Sequence, residues 1–235
     1  MPAARPAQRP QVALVLAMSA DGKISDGARS PARFGSERDR AHLEQRIAAA
    51  DGFLFGAGTL RAYGTSLPIR DTALLQHRQR QGKPPQPPHI VCSASGNLDP
   101  GLRFFGQPVP RWLLTTAAGA KPWATSSAFE QIFPVPTTAT GLDWAIALAH
   151  LKTAGVQRLV VGGGGQLAAA LLAIEAVDDL WLTVCPLLLG GHRAPTPVDG
   201  AGFVAAIAPR LELLSCEAIA QEVFLHYRLL PRSDT

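Results

Sequence analysis

Four consecutive glycines, Gly162–Gly165, constrain the fold of this chain more than any other feature. They follow the mostly apolar stretch Arg158–Val161, which is typical of a buried strand, and precede the helix-forming stretch Gln166–Ala176. Glycines let a phosphate approach the backbone, and the first N–H groups of a helix attract it together with the helix dipole. The run therefore predicts a phosphate site. A flexible strand–helix turn is the alternative, although one or two glycines usually suffice for that.

A second glycine pair supports a ligand at the same edge of a sheet. Gly56 and Gly58 follow the apolar stretch Phe53–Phe55, and Thr59 comes next. The Thr59 hydroxyl could bond a phosphate or the amide of a nicotinamide ring, or it could simply cap a short helical turn. Two glycine-rich strand ends fit a cofactor that lies across the carboxyl edge of a sheet.

Short apolar strands alternate with amphipathic helices along most of the chain. The predicted strands are Val12–Met18, Phe53–Phe55, His89–Ser93, Arg111–Thr115, Arg158–Val161 and Asp179–Val184. One predicted helix begins after the N-cap Ser36. Three others cover Asp71–Gln81, Gly141–Ala154 and Gln166–Ala176. Leu211–Cys216 and Gln221–Leu229 alternate apolar and polar residues, as an antiparallel hairpin would. The pattern predicts an α/β fold with a mostly parallel sheet and a C-terminal antiparallel hairpin.

Composition excludes several classes of protein. Of the 235 residues, 47% are hydrophobic and 17% are charged, which excludes a disordered chain. No apolar run approaches the ~20 residues that span a bilayer, so we expect no membrane partner. Residues 1–10 are rich in proline, alanine and arginine and predict a disordered tail, whereas residues 11–232 predict a single domain.

Charge and cysteine content narrow the partners further. The net charge of +4 is mild and the basic residues are not gathered with aromatic ones, so nucleic acid is not expected, although an anionic small molecule is. Cys92, Cys185 and Cys216 are scattered and never spaced as C-x-x-C. This favours reduced thiols in a cytoplasmic protein and gives no sign of a metal site.

A Rossmann dinucleotide-binding domain is not supported. The residues Gly163-x-Gly165-x-x-Ala168 fit its fingerprint, but no carboxylate ends the following strand to bind a ribose. The fingerprint also usually opens such a domain, whereas here only a short antiparallel segment follows it.

Four segments together resemble the reductase (C-terminal) domain of the bacterial bifunctional riboflavin-pathway deaminase-reductase. They are Leu16–Ile24, Asp51–Ala62, Gly162–Ala170, and Val177–Leu180 with Pro186–Gly191. The resemblance implies a dihydrofolate-reductase-like three-layer sandwich and an NADPH-dependent reductase. Such an enzyme reduces the ribosyl group of 5-amino-6-(5-phosphoribosylamino)uracil to ribityl, and the domain commonly forms a homodimer.

The resemblance also implies the cofactor contacts. They are Met18, Thr59, Ser93, Gly163, Gly164, Gly165, Gln166, Leu167 and Ala168. Ser93 has no Asp or Glu nearby in sequence to repel a 2′-phosphate, which favours NADPH over NADH. The family fold can carry a cis peptide bond between adjacent glycines of this loop, with Gly163–Gly164 as the candidate.

The substrate side departs from the family pattern. The implied substrate contacts, for a small phosphorylated molecule, are Arg33, Arg46, Tyr63, Leu67, Arg70 and Gly162. The family usually has an acidic residue at Gly162, an Asp at Tyr63, a Lys at Val15 and an Arg at Ile47. These departures leave two alternatives: a reductase of the same fold for a folate-like or small carbonyl substrate, or a nucleotide-binding module without turnover.

A reduction also needs a proton. Asp21, with Lys23 beside it, lies at the end of the first predicted strand and is the candidate catalytic pair. The alternative is structural, because Asp-Gly is a common turn in which the carboxylate caps backbone N–H groups.

Overall fold

The computed structural model describes residues 9–231. Most of the predicted tail, residues 1–8, lies outside the described residues, as do residues 232–235. Arg9 and Pro10 are described, and the Arg9 guanidinium makes two 2.9 Å bonds to the buried Asp178 carboxylate. The description of the fold therefore begins with the last two residues of the predicted tail.

The secondary structure alternates strands and helices until a final hairpin. The strands are β1 Gln11–Ser19, β2 Gly52–Gly56, β3 His89–Cys92, β4 Arg111–Thr115, β5 Gln131–Pro134, β6 Thr137–Thr138, β7 Gly141–Leu142, β8 Arg158–Val161, β9 Asp179–Cys185, β10 Leu211–Ile219 and β11 Glu222–Leu229. The helices are α1 Glu37–Ala49, α2 Ala57–Tyr63, α3 Thr72–Arg80, α4 Ala117–Ala120, α5 Trp144–Thr153 and α6 Gly165–Ala173.

One sheet forms the centre of the fold. Its strand order is β10-β11-β9-β1-β8-β2-β3-β4-β5. The strands from β9 to β5 are parallel, and β11 and β10 pair antiparallel at the other end. The predicted mostly parallel sheet with a C-terminal hairpin is confirmed.

Helices cover both faces of this sheet. Alternate residues of each strand enter two separate apolar clusters, as the period of two in a strand requires. The cluster packed against α5 and α6 includes Leu14, Leu54, Ile90, Leu114, Val161, Leu148, Leu151 and Leu171. The cluster packed against α1 and α2 includes Val15, Phe53, Val91, Leu113, Val160, Ile47 and Leu60. The fold is thus the predicted three-layer sandwich.

Side-chain caps fix where the helices begin. The Ser36 hydroxyl accepts from the amides of Arg38 and Asp39 at the start of α1, and Asp71 caps α3 in the same way. The predicted helix from Gly141 is wrong at its start, because Asp143 caps α5 and Gly141 pairs in β7 instead. The expected cis bond is also wrong, since no peptide bond within residues 9–231 is cis.

Two kinds of feature are absent from the described residues. Between Arg9 and Pro231, no helix combines the length and apolarity that crossing a bilayer requires. Within the same residues, no group of three or more His, Cys, Asp or Glu side chains is placed to hold a metal ion.

Candidate active site

A cavity of about 1220 Å³ opens at the carboxyl edge of the parallel strands. The ends of β1, β2, β3 and β8 lie at its base, and the segments 24–37, 57–70 and 162–167 contribute most of its walls. Six arginines line it, Arg29, Arg33, Arg40, Arg61, Arg70 and Arg103, against the three acids Glu37, Asp39 and Asp199. The excess of positive charge suits an anionic ligand.

The glycine run lies in this cavity and opens α6. Gly163 and Gly164 have φ values of 127° and 100°, which side-chain-bearing residues rarely adopt. Gly164 is the N-cap of α6 and no side chain caps the helix, so its first amides are available to a ligand. Gly165 is required for packing, because a Cβ there would lie 2.3 Å from the Thr196 carbonyl oxygen.

The glycine pair Gly56 and Gly58 lies in the same cavity as the glycine run. Gly56 and Gly58 line the cavity, and a Cβ built at either would find no protein atom within 4 Å. The Thr59 hydroxyl oxygen lies 3.6 Å from the position of a Cβ at Gly163. The structure therefore brings the two glycine motifs together in one open cradle, where added side chains would take up the space of a ligand.

The loop after β3 forms the far side of the cradle. Ser93 lines the cavity, and the loop is fixed by a 2.7 Å bond from the Trp123 indole to the Gly96 carbonyl. A smaller pocket of about 580 Å³ adjoins it, lined by Arg61, Ser95, Asn97, Asp99 and Leu102. Asp99 is an acid that the sequence reasoning missed, and its carboxylate accepts from the Gly101 amide at 2.8 Å.

Five of the six predicted substrate contacts line the same cavity: Arg33, Tyr63, Leu67, Arg70 and Gly162. The Tyr63 hydroxyl donates to the Ala32 carbonyl at 2.8 Å and so ties α2 to the segment that covers the cavity. Burial raises the pKa of Tyr63, so the phenol stays neutral. The backbone amides of Arg70 and Asp71 donate to the Glu44 carboxylate, which fixes the chain beside the exposed Arg70 guanidinium.

Gly162 has a steric explanation that the sequence did not show. A Cβ at this position would lie 2.3 Å from Cε2 and 2.6 Å from Cζ of Phe53. The Phe53 ring lines the cavity and makes an edge-to-face contact with the His89 ring at 5.4 Å between centroids. An aromatic ring thus excludes any side chain, acidic or otherwise, from position 162.

Met18, Ala168, Asp21, Lys23 and Arg46 are not among the residues that line the cavity. Ala168 is 1% exposed and packs in the core, because it lies on the sheet-facing side of α6. The Arg46 guanidinium stacks 4.2 Å above the Trp181 ring instead of reaching the substrate side. The structure does not bring these five together with the other predicted site residues.

The predicted catalytic pair has a structural role in this geometry. The Asp21 carboxylate accepts from the Ser19 hydroxyl and from the amides of Leu189 and Gly190, at 3.0 and 2.6 Å for the two amides. These bonds, the one from Ser19 first, lower the pKa of Asp21 to about 2. The Lys23 amide donates to the Ser19 hydroxyl in the same turn. Asp21 therefore ties two loops together, which is the alternative that the Asp-Gly pair had left open.

Comparison with known proteins decides the family. The family of RibD C-terminal domains matches residues 10–225. The chain belongs to this family. This chain is 28% identical over 200 residues to the 2,5-diamino-6-ribosylamino-4(3H)-pyrimidinone 5′-phosphate reductase of Archaeoglobus fulgidus. The alignment covers 83% of this chain and 89% of the relative. The enzyme of that name from Methanothermobacter thermautotrophicus is 26% identical over 220 residues, covering 93% and 98%.

Solved structures agree on the fold of this RibD C-terminal domain. A pyrimidine reductase-like protein from Corynebacterium diphtheriae superposes with a TM-score of 0.79 at 20% identity, covering 95% of this chain and 93% of the other. The riboflavin biosynthesis reductase of Saccharomyces cerevisiae superposes with a TM-score of 0.71 at 19% identity, covering 96% and 92%. The expected dihydrofolate-reductase-like fold is confirmed.

Proposed function

We propose that this chain is an NADPH-dependent reductase of riboflavin biosynthesis. It reduces the ribosylamino group of a phosphorylated aminopyrimidine to a ribitylamino group, the substrate being the 2,5-diaminopyrimidinone in its relatives' names or the corresponding 5-aminouracil. The observation that carries this proposal is the convergence of both glycine motifs and the uncapped N-terminus of α6 in one arginine-rich cavity. Its volume of about 1220 Å³ exceeds that of a pocket for one small ligand, so coenzyme and substrate have room together.

The coenzyme fits the glycine cradle. The backbone amides at Gly163–Leu167 would hold its diphosphate, with Thr59 and Ser93 on either side. When bound, its reduced nicotinamide supplies a hydride to the substrate. The protein's task is then alignment, which the backbone-built cradle provides without charged side chains.

Selection of NADPH over NADH rests on the small adjoining pocket. Arg61 and Ser95 line both this pocket and the main cavity, and a guanidinium is well suited to bind a 2′-phosphate. The Arg61 guanidinium has a distant contact to the Asn97 carbonyl, at 3.5 Å. The Asp99 carboxylate would repel the 2′-phosphate of NADPH, but it is already bonded to the Gly101 amide.

The substrate would lie on the arginine side. Arg33 and Arg70 line the cavity and are exposed, so they are available to a 5′-phosphate. Leu67 and Tyr63 line the same cavity.

A reductase of the same fold with another substrate is the second candidate. The contact between Phe53 and Gly162 favours it, because an aromatic ring occupies the place where the family usually carries an acid. A folate-like or small carbonyl compound needs fewer hydroxyl contacts than a ribosyl group does.

We also propose a homodimer in the cytoplasm. The edge strand β10 exposes Leu211, Leu213 and Leu214 side by side, which is an apolar edge that a second copy could cover. The cysteines Cys92, Cys185 and Cys216 are free thiols, as in a reducing compartment. Sedimentation of the purified chain should give twice the monomer mass, and a monomer at micromolar concentration would refute the dimer.

Two measurements test the function. NADPH should quench or shift the fluorescence of the purified chain at sub-millimolar concentration, and the chain should oxidise NADPH when given the ribosylaminopyrimidine phosphate. The gene should also restore growth of a riboflavin-requiring strain that lacks only the reductase activity. NADPH binding without turnover of this substrate would favour the second candidate, and no nucleotide binding would refute both.

A further inference from the structure

The reduction needs a proton, and Asp21 is not at the cavity. Three acids line it, Glu37, Asp39 and Asp199. The Asp199 carboxylate accepts from the amide and the hydroxyl of Thr196, both at 2.9 Å, and is held beside the glycine run. Glu37 is exposed to solvent. Asp39 is half-buried at the cavity, so it is shielded from solvent more than Glu37 is, and within residues 9–231 its carboxylate has no bond to a backbone amide such as the one that Thr196 gives to Asp199.

We propose that Asp39 is the proton donor of the reduction, a role that rests on the proposed function. It lies in the first turn of α1, where the Ser36 hydroxyl accepts from the Asp39 amide at 3.2 Å. The Asp39 carboxylate folds back over Gly35, so closely that a Cβ at residue 35 would be 2.3 Å from its Oδ2. The lack of a side chain at Gly35 thus leaves room for the Asp39 carboxylate at this position.

The surroundings of Asp39 favour its protonated form. Burial raises the pKa of Asp39, the Thr183 hydroxyl lowers it, and the nearby Glu222 carboxylate raises it again. Glu222 lies on β11, is 5% exposed and accepts from the Ser36 amide at 2.8 Å. A half-buried carboxylate next to a second carboxylate keeps its proton to a higher pH than a solvated one, which suits a proton donor.

Two further titratable groups near Asp39 are neutral, and the charged Arg33 acts on one of them, Tyr63. Tyr63 on α2 has its pKa raised, by burial first and also by the charge of Asp39. Cys185 on β9 is buried, and burial followed by the charges of Asp39 and Glu222 raises its pKa to about 12. A neutral phenol and a neutral thiol leave Asp39 as the acid at this wall of the cavity.

The proposed reduction opens the ribosyl ring before the hydride is added. The C1′–O4′ bond of the ribosyl ring breaks while the attached nitrogen forms a double bond to C1′. O4′ keeps the bonding electron pair and takes the proton of the Asp39 carboxyl group. C1′ then receives the hydride and the C1′–N single bond is restored, so one proton and one hydride enter the substrate. Asp39 is left ionised and regains its proton from water.

Asp39→Asn tests the proposal. We expect kcat to fall by about 100-fold or more, since a general acid contributes roughly 10²–10⁴-fold. The dissociation constant for NADPH should stay within twofold. The wild-type kcat should fall at high pH as the donor loses its proton, and this alkaline limb should disappear in Asp39→Asn and return in Asp39→Glu.

Glu217→Gln is the control, because it removes an exposed carboxylate that lies outside the cavity, and kcat should be unchanged. Thermal unfolding of each variant checks that the fold is intact. An Asp39→Asn enzyme with near-wild-type kcat and the same alkaline limb would overturn the proposal. A wild-type chain that binds NADPH but does not reduce the ribosylaminopyrimidine would instead refute the proposed function, and with it this role of Asp39.

Discussion

Backbone groups line one half of the cavity, and side chains line the other. The coenzyme half consists of backbone at Gly56, Gly58 and Gly162–Leu167, and its glycines leave open space or adopt positive φ. The substrate half consists of side chains, with arginines on three segments and aromatic residues that include Phe53 and Tyr63. A backbone cradle recognises a diphosphate shared by many reactions, whereas side chains decide which substrate is reduced. We therefore expect substitutions in one half to weaken coenzyme binding and substitutions in the other half to weaken substrate binding, each without the other effect.

The largest effect should come from the coenzyme half. Gly164→Val places a branched side chain in the cradle, with its Cβ 3.6 Å from the Cβ of Leu167. We expect the affinity for NADPH and for NADH to fall more than about 100-fold, or about 2.7 kcal/mol. Fluorescence titration measures this.

Stability must be followed in the same variant, because φ at Gly164 is 100° and strain there costs about 1–3 kcal/mol. Gly155→Val is the control, since φ at Gly155 is 97°, a Cβ there would meet no protein atom within 4 Å, and Gly155 lies outside the cavity. Unchanged NADPH affinity in a folded Gly164→Val chain would contradict the placement of the coenzyme.

The next effect concerns the boundary between the two halves. Gly162→Ala forces a methyl group to within 2.3 Å of the Phe53 ring, and this overpacking should lower the free energy of unfolding by about 1–3 kcal/mol. Urea unfolding measures it. Adding Phe53→Leu should recover most of the loss, and a purely additive double-mutant cycle would show that the two residues are not in steric contact.

A comparable effect is expected on the substrate half alone. Arg70→Gln should raise KM for the phosphorylated substrate about 30-fold, or about 2 kcal/mol, because a charge-assisted bond to phosphate is lost. NADPH affinity should not change. Arg38→Gln, an exposed arginine of α1 outside the cavity, is the control for net charge. An equal loss in both variants would mean that Arg70 acts only through net charge.

The smallest effect separates the two coenzymes. Arg61→Gln should weaken NADPH about tenfold and leave NADH unchanged, since only NADPH carries the 2′-phosphate. Comparing 2′,5′-ADP with 5′-AMP by calorimetry isolates this contact from the rest of the coenzyme. A parallel loss for both ligands would assign Arg61 to the diphosphate or to the fold instead.

Local patterns predicted the fold well where strands are central. The bounds of β4 and β8 match the predicted strands Arg111–Thr115 and Arg158–Val161, and Ser36 caps α1 as expected. The sequence analysis did not predict β5, because Pro134 at its end argues against a strand and is tolerated only at the sheet edge.

The glycine cradle is the part of the candidate site that local sequence patterns could indicate. Glycine runs act locally, so the cradle at Gly163 and Gly164 is visible in the sequence. The electrostatic environment of Asp39 depends on Glu222, and the steric limit at Gly162 depends on Phe53. Both partners lie far away in the chain. Asp21 looked like a candidate acid because its partners, Leu189 and Gly190, are equally distant.

The most direct test is an NMR titration of the ¹⁵N-labelled chain with NADPH. We expect the backbone amide signals of Gly163–Leu167 to shift most and to saturate at sub-millimolar coenzyme, while the amide signals of the hairpin β10–β11 do not shift. Saturable binding that leaves these glycine-loop amides unshifted, or no binding at millimolar NADPH, would contradict this expectation.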